Sequence, residues 1–458
     1  MKAKHLAIFL FIILCLSAVI LAPQMSAFEK NPPKISIQGQ ANNTIYWNPK
    51  NPLNIQISDD SGLSNVNASF GNESAQNDLK INYQKGQKEL NFELKIPKNL
   101  KYKSGDEFML KLSATDISYA NFFSANTSEF SAKIIIDTKM PNIAIISQSY
   151  KIIKGGTGVA VFRVNDDSSK LKEFFIETNY NKRFQPVKFH KDGYYAVMVA
   201  WPSKEKDFNA KIVATDLAGN TAKSSIRYFL QDRKYKESKI ALTDSFINGK
   251  ITELAQIYAQ NADSMDSIEK FKFVNETLRG SNEEKIEQST SNISEESLEN
   301  FKITPFYPLK NAAAVASFGD HRYFMLDGSE LSQSWHLGLD LASTAGANII
   351  ASNNGVVVFA EENGIYGQNL IIYHGFGLYS LYGHCSTLNV DVGTNVKAGD
   401  IIATTGATGL ALGDHLHFSM IAQGVQVRPE EWMDKKWMKE SVYDVLNDAK
   451  KIIDNIKR

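Results

Sequence analysis

An internal repeat in the first half of the chain restricts its folding more than any other feature. Asn31-Pro32-Pro33-Lys34-Ile35 recurs as Lys139-Met140-Pro141-Asn142-Ile143, Asp59-Asp60-Ser61 as Asp166-Asp167-Ser168, and Ala114-Thr115-Asp116 as Ala214-Thr215-Asp216, each time displaced by about 100 to 108 residues. Between these markers lie short alternating runs, such as Leu53 to Ile57, Leu90 to Ile96, Val159 to Val164 and Tyr195 to Ala200, separated by Gly, Asn, Asp and Ser. Alternation with period two reads as antiparallel strands. A period near 100 residues with several short strands per copy predicts two tandem immunoglobulin-like β-sandwiches, over 28–138 and 139–232. Only the architecture is implied, because the copies lack a cysteine pair: the two cysteines of the chain are Cys15 and Cys385, which also excludes a disulfide scaffold. The paired aspartates are read as turn formers and no metal is assigned to them.

Lys2 and Lys4 precede an uncharged run from Leu6 to Ala22, ending at Pro23. Positive-then-apolar order marks an export signal, so 1–27 is a signal peptide or a signal anchor. The run is at the short edge of a membrane span, but Met25 suits cleavage after Ala27 poorly, and the anchor is favoured. Bulky Leu14 before Cys15 argues against a lipoprotein. The positive-inside tendency places the remainder in the cell envelope outside the cytoplasm, periplasmic and anchored in the inner membrane. Lys plus Arg and Asp plus Glu each number 50, and a net charge of zero gives no footprint for nucleic acid.

From Arg233 the texture turns to Lys, Glu, Ser and Asn. Residues 233–300 are expected to be a helical spacer, with helical spacing near Ile247 to Phe273 and a polar, mobile part from Gly280 to Asn300. Sixteen of the 28 glycines lie between Phe301 and Glu440, which predicts a tightly turned β domain over 301–438. Over 439–458, Val442, Val445, Leu446, Ala449, Ile452, Ile453 and Ile456 form one stripe of an amphipathic helix, placed to pack on the protein's own body or to bind a partner.

Six of the eight histidines fall between His321 and His417. In Trp335-His336-Leu337-Gly338-Leu339-Asp340, strand alternation points His336 and Asp340 to one face and Leu337 and Leu339 into the core, with Gly338 leaving room. In Asp414-His415-Leu416-His417-Phe418 the same alternation puts both imidazoles on one face. Two histidines and one carboxylate, with a fourth position left for water, are the ligand set of a catalytic zinc site.

Joined with Tyr382-Gly383-His384 and Gly406-Ala407-Thr408-Gly409, these motifs resemble the lysostaphin/LytM-type zinc metallopeptidases that cut peptidoglycan. The likeness runs from Phe318-Gly319 through Ala351 to Val357, Tyr373-His374-Gly375 and His415-Leu416-His417-Phe418 to Arg428-Pro429, a quarter to a third of the chain. It implies an antiparallel β metallopeptidase domain with Zn2+ held by His336, Asp340 and His417, and with His384 and His415 catalytic. Thr408 and Asp414 gain no role from it. His374 is read as a structural hydrogen-bonder, His321 as part of a polar approach loop, and Cys385 as a small buried hydrophobe.

The expected function is an exported zinc-dependent peptidoglycan endopeptidase that hydrolyses peptide cross-links, with peptide stems as substrate. The alternative is a catalytically inactive regulator of the same fold that activates another wall hydrolase. The sandwiches or the terminal helix are expected to space the enzyme, cover its groove or engage a protein partner.

Overall fold

The computed structural model describes residues 29–456 apart from 38–42, 73–74, 99, 120–123, 168–169, 295–297 and 299–300. The expected signal or anchor over 1–27 lies outside the described residues. The chain is mainly β. In the first repeat, one sheet runs in the order Lys34–Ile37, Leu53–Ser58, Glu89–Leu94; the other runs Thr44–Trp47, Thr127–Ile136, Glu107–Asp116, Leu63–Asn72, Ala75–Asp78. Alternation governs the packing. Leu53, Ile55 and Ile57 are buried while Asn54 and Gln56 face water, and Leu110, Leu112 and Ala114 do the same on the second sheet. Side chains from both sheets share one core, in which Trp47 and Phe70 meet edge to face.

The second repeat gives two four-stranded sheets, ordered Val187–Lys188, Tyr194–Ala200, Thr157–Asn165, Asn142–Gln148 and Arg183–Phe184, Leu171–Thr178, Ala210–Asp216, Thr221–Ile226. The chain forms two compact units. One runs to Asn142 and takes in Asn165–Phe174 and Ala214–Ala222; the other holds Ile143–Val164, Phe175–Val213 and everything from Lys223.

Within the second unit, an antiparallel sheet forms the C-terminal domain in the order Ala313–Ala316, Leu339–Ala342, Leu416–Ala422, Leu378–Cys385, Gln368–Tyr373, Gly355–Glu362, Asn395–Val396. Its two central strands, Leu378–Cys385 and Leu416–Ala422, are buried along their whole length. The register sets Asp340 opposite His417 and His417 opposite Gly383, so the motif-bearing segments meet at one place on the sheet.

Three expectations are corrected. His336 and Asp340 do not share a strand: one strand ends at Trp335 and the next begins at Leu339. The expected approach loop is a hairpin of His321–Leu326 with Ser329–Trp335. The expected spacer is part of the domain: Glu237–Ala241 pairs in parallel with His321–Leu326, and Arg279–Thr290 is a helix. That helix is polar overall, yet Asn282, Ile286 and Thr290, four apart, are buried. Ile251, Leu254, Phe271, Val274, Leu278 and Ile286 share a core with Phe324, Phe359, Tyr373 and Leu381 of the sheets. The terminal helix Asp444–Asn455 buries Val445, Leu446, Ala449 and Ile453, and its Asp454 meets His190 and Lys191 of the second repeat. Among the described residues no helix is long and apolar enough to cross a membrane.

Candidate metal centre

His336 Nε2, His417 Nδ1 and Asp340 Oδ1 converge. Each imidazole nitrogen is 2.9 Å from the carboxylate oxygen, and the two nitrogens are 3.1 Å apart. The remaining ring nitrogens assign the tautomers. His336 Nδ1 donates to the Ser317 carbonyl at 2.9 Å. The Ser419 hydroxyl donates to the Leu337 carbonyl at 2.8 Å, so at 3.1 Å it receives the His417 Nε2 proton. Three lone-pair atoms therefore face one another with no hydrogen between them.

That arrangement repels itself unless a cation sits among the three atoms, and the separations lie a few tenths of an ångström inside those that tetrahedral zinc with ligand bonds of about 2.0–2.1 Å would set. The donor set fits the metal, and the Ser317 and Ser419 contacts supply the outer hydrogen bonds that fix ligand orientation. Burial pushes His417 down to about 4, which keeps the ring neutral and able to act as a ligand.

His384 and His415 complete the group. His384 Nδ1 donates to the Thr408 carbonyl at 2.9 Å, and His415 Nδ1 to the Gly413 carbonyl at 2.8 Å. Both Nε2 atoms keep their lone pairs. The rings are 4.8 Å apart, and His415 Nε2 is 3.7 Å from Asp340 Oδ1. A bulge aims His384: three steps from Tyr382 to Cys385 oppose two from Gln368 to Leu370. His384 itself has φ of 62°, a left-handed conformation unusual outside glycine. Burial, and then the neighbouring His417 and His415, lower its imidazole to about 3.

The five residues predicted from sequence thus lie in one cleft of about 230 Å³. Arg279, Arg322, Tyr366 and Leu412 also line it, and Arg279 and Leu412 were not anticipated. His374 points elsewhere, bonded to the Asn354 carbonyl and to Ser380 Oγ. His321 stacks on Trp335 with ring centres 3.8 Å apart. Cys385 is fully buried, and burial raises its thiol to about 12. Asp414 accepts from Thr405 Oγ1 and the Gly346 amide.

Residues 334–429 match the family model of peptidase family M23. This part of the chain is thus similar to the peptidase domain of that family. Over 94 residues it is 37% identical to the DD-carboxypeptidase/endopeptidase Mpg of Neisseria meningitidis serogroup B, covering 20% of this chain and 22% of that one. Over 98 residues it is 33% identical to the murein hydrolase activator EnvC of Escherichia coli K12, covering 21% and 23%. The match thus spans only about a fifth of the length of these curated relatives. The lysostaphin catalytic domain from Staphylococcus simulans is 27% identical over 27% of this chain and 92% of its own, with a TM-score of 0.23.

Proposed function

We propose that the protein is an exported, zinc-dependent peptidoglycan endopeptidase of the cell envelope, with the two upstream repeats as immunoglobulin-like sandwiches. The observation that carries this reading is the meeting of three proton-free donor atoms, His336 Nε2, Asp340 Oδ1 and His417 Nδ1, beside two further imidazoles with free Nε2 atoms.

Zinc held by His336, Asp340 and His417 would supply Lewis acidity, making water acidic enough to attack at neutral pH and polarising a peptide carbonyl. The chain's own residues do the rest. His384 and His415 present Nε2 atoms that can take a proton from water, and the ring that gains it can stabilise a developing oxyanion or protonate the leaving amine. Arg279 and Arg322 in the cleft wall favour a substrate that carries carboxylates, as peptide stems do.

Likeness to an activator supports a second reading, a regulator of another hydrolase. Against it stands the complete set of five residues. Purified peptidoglycan digested with the full chain, with and without chelator, and analysed by mass spectrometry separates the two. Chelator-sensitive release of uncross-linked muropeptides is expected. An unchanged profile from zinc-loaded protein would overturn the enzyme reading.

A further inference from the structure

The repeat markers that sequence assigns to turns converge in space, twice. In the first repeat, carboxylate oxygens of Glu29, Asp59 and Asp116 lie within 4.8 Å of one another; in the second, those of Asp137, Asp166 and Asp216 do the same. The two constructions share one set of asparagine contacts. Asn126 donates its backbone amide to Asp116 Oδ1 at 2.8 Å and its side-chain amide to Asp116 Oδ2 at 2.7 Å, and that side chain also reaches the Glu29 carbonyl at 3.1 Å. Asn220 makes the same contacts to Asp216, at 2.8 and 2.8 Å, and to the Asp137 carbonyl at 3.1 Å. Glu29 and Asp137 stand four residues ahead of the equivalent Pro33 and Pro141. Each cluster therefore joins the segment leading into a repeat to two turns of that repeat.

One side chain shows that hydrogen bonding alone leaves the arrangement incomplete. Asp137 is 0% exposed, and its Oδ2 has no donor. Its Oδ1 takes the Lys139 amide at 3.0 Å, which leaves the second oxygen for the cluster. Glu29 Oε1 is likewise buried without a partner. Among the described residues, none of Glu29, Asp59, Asp116, Asp137 and Asp216 forms an ion pair with Lys or Arg. Carboxylates gathered this closely around a fully buried one, as around Asp116 and Asp137, repel one another. Burial first, and then the neighbouring carboxylates, raise the Glu29 and Asp216 carboxyls above their ordinary values. The donors are all oxygen, unlike the imidazole-rich centre near His417, and hard cations of calcium size select such sets.

We propose that each repeat carries a calcium site: Glu29, Asp59 and Asp116 in the first, Asp137, Asp166 and Asp216 in the second. The cation would tie the leading segment of each repeat to its turns and cancel the repulsion. The inference is independent of the zinc reading, since no residue is shared.

Full-length protein, stripped of metal and given one equivalent of zinc, is titrated with calcium chloride by calorimetry. Two calcium ions per chain are expected, with Kd of about 10⁻⁴ to 10⁻³ M, the range of extracellular modules. Asp137→Asn should leave one ion, Asp137→Asn with Asp59→Asn none, and His417→Ala both. In the wild-type chain, saturating calcium should raise the melting midpoint by about 5 °C. No calcium uptake by the wild-type chain, an equal response to magnesium chloride, or full stoichiometry in a folded Asp137→Asn variant would each overturn the proposal. The wild-type titration decides even if that variant does not fold.

Discussion

Gly338 lies against the His417 ring so closely that a Cβ on it would stand 2.5 Å from both Cε1 and Nε2. It would also come within 2.6 Å of Ser419 Oγ, the partner of that ring. No real Cβ tolerates such a distance, and neither ring nor hydroxyl can yield without breaking the anchor. Gly338→Ala should therefore lower zinc affinity and activity together by about 10- to 100-fold while the melting midpoint stays near that of the wild type. Metal content of the purified variant checks this; unchanged zinc with unchanged turnover would refute it.

Ser419→Ala tests the same anchor from the other side. The ring loses the acceptor for its Nε2 proton, and the Leu337 carbonyl loses a donor. Zinc affinity should drop by about tenfold or more with little change in fold, as competition with a chromophoric chelator would report.

Ligand and proton-transfer roles separate cleanly. His384→Ala and His415→Ala should retain stoichiometric zinc and lose about 10²- to 10⁴-fold in turnover, whereas His336→Ala and His417→Ala should lose the metal itself. Equal zinc loss in all four variants would contradict the division.

Acid stability has a separate marker in His374. Burial lowers its imidazole from 6.5 to about 4, so the unfolded chain takes up a proton at higher pH than the folded one. Its contribution to stability is complete above about pH 6.5 and is lost as pH falls towards about 4. His374→Gln keeps the hydrogen-bonding ability and removes the titration. Urea midpoints across that interval should fall less steeply for the variant, and parallel curves would exclude the assignment.

Arg279 reaches the cleft from a helix upstream of the family match, braced by Asn275 Oδ1 at 3.2 and 3.3 Å. Arg279→Met should raise KM for anionic peptide stems by about tenfold while leaving kcat within about twofold, as removal of a charge-assisted contact predicts. A fall in kcat alone would place the residue differently.

The five centre residues were legible because their spacing survives folding: His415 and His417 stay two apart across one strand end, and His336 and Asp340 come together although the chain leaves strand geometry between them. The reason given by simple alternation was wrong for that pair, since irregular backbone at 336–337 and a bend at Gly338 replace the pleat. Ser419 carried a readable signal, sitting one strand period beyond His417. Arg279 carried none, because a charged residue on a polar helix reads as solvated surface. The alternating strand Glu237–Ala241 is only five residues long, and Asn282 and Thr290 mask the inward stripe of their helix. Sheet order rests on distant pairings, such as Glu237 with His321, that no local pattern encodes.

The packing of the 237–290 region into the core has a consequence for portability. The piece that could be moved intact to another chain is longer than the segment 334–429 by which it is recognised. A cut at Phe301 would strip Phe271, Val274, Leu278 and Ile286 from their partners Phe324, Phe359 and Tyr373, leaving an oily scar beside the cleft. Cutting ahead of Glu237 spares that seam but opens another, because Gly155, Thr157 and Gln185 of the second repeat bond Arg428, Glu431 and Gln423, so the intact piece reaches back into that repeat.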